Sequence, residues 1–188
     1  TEIVAQDLKI QLELNPDHVV AYRLLGFENR AIADVDFTND GVDAGEIGAG
    51  HRVTALYELV LTGQSIPSPE GAPEADMGEL DSGLERTITA DALALVRVRW
   101  KDRGASAEDP AHETMATVAA DAVVDEADAD TRWAAAVAAF AELLKDSPYA
   151  DPADMAAVET LLLEQSARDD ERTRFVNLFQ RALGLMER

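Results

Sequence analysis

The chain has 188 residues, 47% of them hydrophobic and 28% charged, so it is long enough to bury a core and has a globular composition. Its formal net charge of −21 repels phosphate backbones and anionic lipid, which excludes nucleic acid and membrane surfaces as expected partners. The lack of cysteine excludes disulfides and cysteine zinc sites, and no apolar run is long enough to insert into a membrane. No signal peptide opens the sequence, so we expect it to begin within a longer polypeptide.

Alternating hydrophobicity predicts two strands near the start of the chain. Residues 7–14 alternate strictly, with Ile10 among the side chains of a buried face and Lys9 among those of a polar face. An Asn-Pro-Asp turn follows. Residues 19–28 are apolar on both faces, which predicts a strand in the centre of a sheet.

Three more strands are predicted further along. In residues 53–61 every second side chain is apolar, starting at Val53, and these should share one face. In residues 93–100 Val96, Val98 and Trp100 should face inward, and Arg97 and Arg99 should face outward. A weaker strand is expected near residues 114–118.

Residues 64–86 are predicted to form a flexible acidic loop. This segment contains three prolines and several glycines among acidic residues, and it offers few apolar anchors. We therefore expect it to be exposed and mobile.

From about residue 130 the apolar spacing becomes helical and predicts three helices. The first carries a stripe of residues spaced by four, three and four: Trp133, Val137, Phe140 and Leu144. Asp151 and Pro152 mark the start of the second, which continues with Met155, Val158 and Leu162. The third, residues 171–186, should bury Phe175, Leu178, Phe179, Ala182 and Leu185.

Together these elements predict an α+β fold. An antiparallel β-sandwich should occupy about residues 1–126, and a small three-helix unit, residues 127–188, should pack on it.

Residues 36–46 resemble the first half of a calcium-binding loop, because oxygen-bearing side chains alternate and a glycine stands sixth. The pattern then fails, since the twelfth position is Ile47 and Glu46 comes one place early. An Asx-rich turn is the favoured interpretation, and calcium binding is left open. The glycines of residues 45–50 precede a strand rather than a helix, which disfavours a nucleotide loop.

Glu28, Glu46, His51 and Glu58 are the side chains that could converge into a hydrolase-like or metal-binding site. The three histidines are otherwise scattered, and no nucleophile-elbow pattern occurs. We therefore predict no catalytic, metal-binding or cofactor-binding residues and no enzymatic activity, and keep this set as the alternative.

Three segments resemble one protein family: residues 22–30 (YRLLGFENR), 40–59 (DGVDAGEIGAGHRVTALYEL) and 134–149 (AAAVAAFAELLKDSPY). They are similar to the C-terminal region of YfbK-type von Willebrand factor A-domain proteins of bacteria. The similarity covers most of residues 5–185, whereas 64–86 and 104–130 match poorly.

The resemblance implies a function for this region within a larger protein. A von Willebrand A domain should precede it, and its role would be that of a non-catalytic scaffold or protein-interaction module at the cell envelope. The A domain and the N-terminal flank of the same parent chain are the expected partners, together with an unidentified protein. The Asp-x-Ser-x-Ser metal signature of A domains does not occur in this sequence.

The number of strands also predicts an incomplete sheet. Four clear strands and one weak strand are few for a sandwich, and the chain begins almost directly with residues 7–14. We therefore expect an edge that accepts another segment of the parent chain, blunted meanwhile by Lys9 and Glu13.

Overall fold

The structure is a computed structural model that describes residues 2–26, 37, 45–70, 78–79, 88–106, 108–122 and 127–186. In these ranges seven strands form two antiparallel sheets, and three α-helices follow them. By their internal contacts the elements divide into a sheet unit, which holds the strands, and a helical unit, which holds the helices. The predicted α+β class, with antiparallel sheets and a C-terminal three-helix unit, is confirmed.

The sheet unit consists of a four-stranded and a three-stranded sheet. The strands, in chain order, are β1 (Ile3–Leu14), β2 (Val19–Leu25), β3 (Gly45–Gly48), β4 (Leu56–Leu61), β5 (Gly78–Glu79), β6 (Ala92–Asp102) and β7 (His112–Ala119). The larger sheet has the order β3-β1-β6-β7, and the smaller has the order β4-β2-β5. The prediction that residues 19–28 form a central strand is confirmed for Val19–Leu25, because β2 pairs with β4 on one side and β5 on the other.

The core of the sheet unit lies between the two sheets at one end of the strands. Leu14 and Ala94 of the larger sheet and Val19 of the smaller one form a buried cluster, with Tyr22 and Leu59 packed against it. Cross-strand pairing places Leu14 directly opposite Ala94. The apolar residues of β1 and β6 therefore pack against those of β2 and β4.

Burial along β1 differs from the prediction for two neighbouring residues. Lys9, expected on a solvent face, is 3% exposed, whereas Ile10, expected inside, is 38% exposed. Ile10 lies opposite Val98, away from the end of the strands where the apolar core lies. The polar face that carries Lys9 is itself covered. Upstream, Asp7 adopts φ 57° where the register with β6 shifts between Gln6 and Lys9, a β-bulge that alternation alone does not reveal.

The strand predicted at residues 53–61 starts later than expected. Val53 is exposed and irregular, and β4 begins at Leu56, because Leu56 pairs with Leu25, the last residue of β2. The most buried residue of β4 is Val60, which lies on the parity opposite to the one predicted. The apolar alternation in the sequence can therefore extend beyond the residues that pair with a neighbouring strand.

Part of the predicted flexible loop takes a different form. Gly78 and Glu79 form β5, which pairs with Tyr22 and Ala21 on the side of β2 that faces away from β4. Residues 64–70 are mostly exposed, and residues 71–77 and 80–87 lie outside the described ranges. The mobility of this loop stays a prediction.

The helical unit contains α1 (Ala129–Leu144), α2 (Met155–Gln165) and α3 (Asp170–Met186), close to the predicted positions. The Asp128 side chain caps α1 by accepting N–H bonds from Asp130 and Thr131. At the other end Asp146 has φ 55°, and Ser147 N donates to Glu142 O, as in a Schellman motif. None of the helices in the described ranges is long and apolar enough to cross a membrane.

The three helices share an apolar core of their own. Phe140 is buried, with its ring edge-on to Phe179 at a centroid distance of 4.7 Å. Three leucines predicted to be buried are instead exposed: Leu144, Leu178 and Leu185. On α3 the buried side runs through Val176 and Phe179, because a narrow stripe is enough to fill the space between three short helices.

Candidate interaction surface

The acidic and histidine side chains that the sequence suggested as a site lie in separate settings where they are described. Glu46 is exposed on β3, His51 is exposed in the segment after it, and Glu58 lies on β4 of the other sheet. The Arg23 guanidinium binds Glu58 through Nη2, at 2.6 Å, and through Nε, at 3.1 Å. Glu28 is outside the described residues.

A metal centre does not emerge from the side chains in the described ranges. They contain no group of three or more His, Asp or Glu residues placed to hold an ion. The calcium-like segment 36–46 lies outside the described residues apart from Phe37, Gly45 and Glu46. Calcium binding there stays an open hypothesis.

Four cations share one face of the larger sheet, opposite to the apolar core. Antiparallel register pairs Lys9 with Arg99, Gln11 with Arg97 and Gln6 with Lys101, so these side chains project from the same side. We call the four cations Lys9, Arg97, Arg99 and Lys101 the basic face. Lys101 is only 1% exposed.

The basic face is satisfied from within the protein. Arg97 Nη1 donates to Gln11 Oε1 at 3.1 Å and lies 3.2 Å from a carboxylate oxygen of Glu13, while Lys101 Nζ donates to Ser106 O at 3.1 Å. All four cations take part in further polar or ring contacts. Burying charges is unfavourable unless they are paired, so this face is an internal ionic layer rather than an open anion site.

An open cleft of about 540 Å³ lies at the turn between β6 and β7, where Asp102, Gly104, Asp109 and His112 contribute to its wall. The Gln6 side chain fixes the turn by accepting from Gly104 N and donating to Ala105 O. Ser106 donates its backbone N–H and its hydroxyl to Asp109, which lowers the pKa of that carboxyl.

Within this cleft His112 forms contacts that the sequence did not suggest. Its ring stacks on Trp100 at 5.4 Å, and its Nε2 lies 3.0 Å from Asp102 Oδ2. The pairing of Trp100 with His112 follows from the β6–β7 register, which cannot be deduced before the length of the turn is known. Both polar side chains are more than half exposed, and the neighbouring Ser106 hydroxyl is engaged by Asp109.

Strand β7 is the most open element of the sheet unit. Among the strands that the structure describes, β7 pairs with β6 alone and forms an outer edge of its sheet. All eight of its residues are exposed, including Met115 at 64% and Val118 at 37%. Side chains on both faces of β7 are therefore exposed, and no other described strand pairs with its outer backbone edge.

The strand order contradicts the expectation that Lys9 and Glu13 blunt an edge strand, whereas the expectation that an edge accepts another segment stays a prediction. β1 lies between β3 and β6, so Lys9 and Glu13 do not blunt an outer strand. The exposed edge belongs instead to the strand that the sequence indicated most weakly. Its low hydrophobicity weakened the sequence signal, and an uncovered strand has little need of apolar side chains.

Known proteins resemble the chain along nearly its whole length. A family model described as the C-terminal part of the uncharacterized protein YfbK matches residues 2–185. The uncharacterized protein YfbK of Escherichia coli (strain K12) is 32% identical over 189 aligned residues, which cover 98% of this chain and 31% of that protein. The chain thus spans less than a third of this relative's length. No solved structure matches.

Proposed function

This chain belongs to the family of YfbK C-terminal regions, and we propose that it acts as a non-catalytic scaffold or protein-interaction module within a longer polypeptide. The observation that carries the proposal is β7, an eight-residue edge strand that is exposed on both faces. An edge of this kind binds other chains by adding a strand, and its backbone supplies most of the contacts.

Several charged side chains form contacts that stabilise the fold, which supports a structural role. Glu58 binds Arg23, Asp109 organises a turn, and Asp128 caps a helix. In catalytic sites, by contrast, titratable groups converge on a shared pocket with a nucleophile or base left available. The described members of the set Glu28, Glu46, His51 and Glu58 do not converge in this way.

Two further parts of the proposal concern the surroundings of the module. We place it C-terminal to a von Willebrand A domain and at the bacterial cell envelope, on the strength of the motif resemblance. Fractionation of cells that express the full-length gene product tests the location. Recovery with the envelope agrees with the proposal, and recovery with the cytosolic fraction contradicts it.

Site-specific photo-crosslinking in cells tests the interaction itself. A photoreactive amino acid replaces Met115 in the full-length gene product, because this side chain is exposed on β7 and its replacement removes no core contact. The matched control carries the same group at Gln180, an exposed position of α3. Both sites point to solvent, so random collisions should label them equally.

A discrete cross-linked product from position 115, absent from position 180, is the expected result. The product can be an internal cross-link within one polypeptide or a link to a second one, and either shows a binding surface at β7. Equal, diffuse labelling at both positions would contradict the proposed interaction module.

A further inference from the structure

The edge of β7 differs from the other sheet edges of the sheet unit. β3 has only four residues, and the side chains of β4 are mostly covered. β7 has eight residues, and from Ala94 to Trp100 its register with β6 is regular. Among the described strands, β7 therefore offers the longest straight edge for pairing.

Within the described residues, β7 also lacks most of the features that usually prevent edge pairing. Its sequence, HETMATVA, contains no proline, glycine or lysine, and Glu113 is its one acidic residue. Natural edge strands are commonly protected by such residues, by bulges or by a covering element. A long edge without them is suited to accept a strand, and would favour unspecific pairing if it stayed open.

The charge of the chain disfavours a second copy as the occupant. Each copy has a formal net charge of −21, so two copies repel one another as they approach. Four of the sixteen basic residues belong to the basic face, where Lys9 and Lys101 are almost fully buried and engaged. These cations are not available to bridge two acidic surfaces.

The length of the relative points to an occupant from the same polypeptide. The E. coli relative carries more than two thirds of its length outside the region that this chain matches. A segment tethered in the same molecule reaches an effective concentration of about millimolar, which a separate partner seldom matches. Tethering also limits unspecific pairing of the edge.

We propose that β7 is a strand acceptor, filled by an extended, non-acidic segment of the same polypeptide that lies outside these 188 residues. The occupant adds a fifth strand to the larger sheet beside β7 and covers Met115 and Val118. This inference rests on the proposed interaction module, and it specifies both the surface and the source of the partner.

Hydrogen exchange of the full-length gene product tests the occupant. In an open edge strand alternate amides have no acceptor and exchange rapidly, whereas in an inner strand every amide is bonded. We expect slow exchange throughout residues 112–119, unchanged by dilution because the contact is intramolecular. Met115→Lys places a charge under the added strand and should accelerate exchange there, whereas Leu178→Lys on α3, also highly exposed, should leave it unchanged.

Three outcomes would contradict the strand acceptor, and they differ in what they mean for the proposed interaction module. Rapid exchange of alternate β7 amides in the full-length protein would overturn the strand acceptor. Protection that is lost on dilution, with a dimer by light scattering, would assign the edge to a second copy instead. A cross-link from position 115 to a different protein would also overturn the intramolecular occupant, while leaving the interaction module in place.

Discussion

The two units of this chain are stabilised by different kinds of contact. The helical unit has a continuous apolar core built from Ala136, Phe140, Val158, Leu162, Val176 and Phe179. The sheet unit has a smaller apolar cluster, and several of its most buried side chains are polar: Lys9, Asn15, Arg23 and Lys101.

The two units therefore place different requirements on their sequences. Apolar packing is non-directional, so the helices depend on the volume and spacing of a few side chains. Buried polar groups need partners at defined positions, so the sheet unit depends on register. The unit that needs register is also the one with an open edge, where an added strand would extend an existing ladder.

The comparison can be tested because each unit contains one of the two tryptophans. Trp133 lies in α1 and Trp100 in β6. A Trp100→Phe background leaves Trp133 as the fluorescent reporter of the helical unit, and Trp133→Phe leaves Trp100 as the reporter of the sheet unit. Denaturant unfolding can then be followed separately for each unit.

The largest effect is expected from Phe140→Ala in the helical unit. Phe140 is 4% exposed and contacts the rings of Phe179 and Phe175, so its removal leaves a cavity in the only aromatic cluster of the described helices. The free energy of unfolding reported by Trp133 should fall by about 3 to 5 kcal/mol.

Leu178→Ala is the matched control for this substitution. Leu178 is also a large apolar residue of the helical unit, but it is 59% exposed. Its truncation should change the free energy of unfolding by less than about 0.5 kcal/mol. A loss below about 1 kcal/mol for Phe140→Ala would mean that the apolar stripe of α1 does not hold this unit together.

The corresponding substitution in the sheet unit is Asn15→Ala. The Asn15 amide donates to Ala92 O at 2.8 Å and to Thr89 O at 3.3 Å, and its oxygen accepts from Asp17 N at 3.0 Å. It therefore joins the β1–β2 turn to the start of β6. Loss of these buried bonds should lower the free energy of unfolding reported by Trp100 by about 2 to 3 kcal/mol.

Gln64→Ala is the control for this substitution, because it removes a side-chain amide that is exposed rather than buried. The Gln64 oxygen accepts from Leu61 N within its own exposed turn, so water can replace it. We expect a change within about 0.5 kcal/mol. If both variants lose the same stability, burial of polar groups does not distinguish the sheet unit.

The sequence was sufficient to predict the type and order of most elements. The alternation in residues 7–14 and 93–100 and the helical spacing after residue 130 gave strands and helices in the right places, because periodicity reflects local geometry. Burial was harder to predict. A polar side chain can be buried, as at Lys9, and an apolar stripe can be wider than the core needs, as at Leu185.

The candidate surface depends on contacts that are distant in sequence. Glu58 looked like a free acid until the β2–β4 register placed Arg23 beside it, and His112 looked isolated until the β6–β7 turn brought it to Trp100. Edge position depends on strand order, which alternation does not encode. The expectation of an accepting edge could therefore be formed from the number of strands, but it could not be assigned to β7.

A smaller effect is expected where the helical unit uses charge. Arg172 binds Asp130 at 2.6 Å, and its guanidinium carbon lies 5.0 Å from the centroid of Trp133, with the side chain only 14% exposed. Arg172→Met should reduce the free energy of unfolding by about 1 to 2 kcal/mol. Arg168 binds the same carboxylate but is half exposed, so Arg168→Met should cost less than about 0.5 kcal/mol. Equal losses would show that the contact with Trp133 contributes nothing.

The smallest effect is the pH dependence of the α1 cap. Backbone N–H groups of Thr131 and Asp130 donate to the Asp128 carboxylate and lower its pKa below its usual value of 3.8. Because the pKa is lower in the folded state, the cap stabilises the fold above the unfolded-state value, and this stabilisation is lost as the pH falls through the folded-state value. Asp154 also precedes a helix, α2, but its side chain makes no capping bond.

Asp128→Ala should therefore lower the thermal midpoint reported by Trp133 at neutral pH, and the difference from the parent protein should shrink as the pH falls below 3.8. Asp154→Ala removes the same charge from a helix start without removing a capping bond, so it should cause a smaller decrease at neutral pH. A decrease for Asp128→Ala that persists undiminished in acid would show that the carboxylate does not act through its charge. The helical unit would then differ from the sheet unit even at its surface, with neither its core nor its caps dependent on ionised groups.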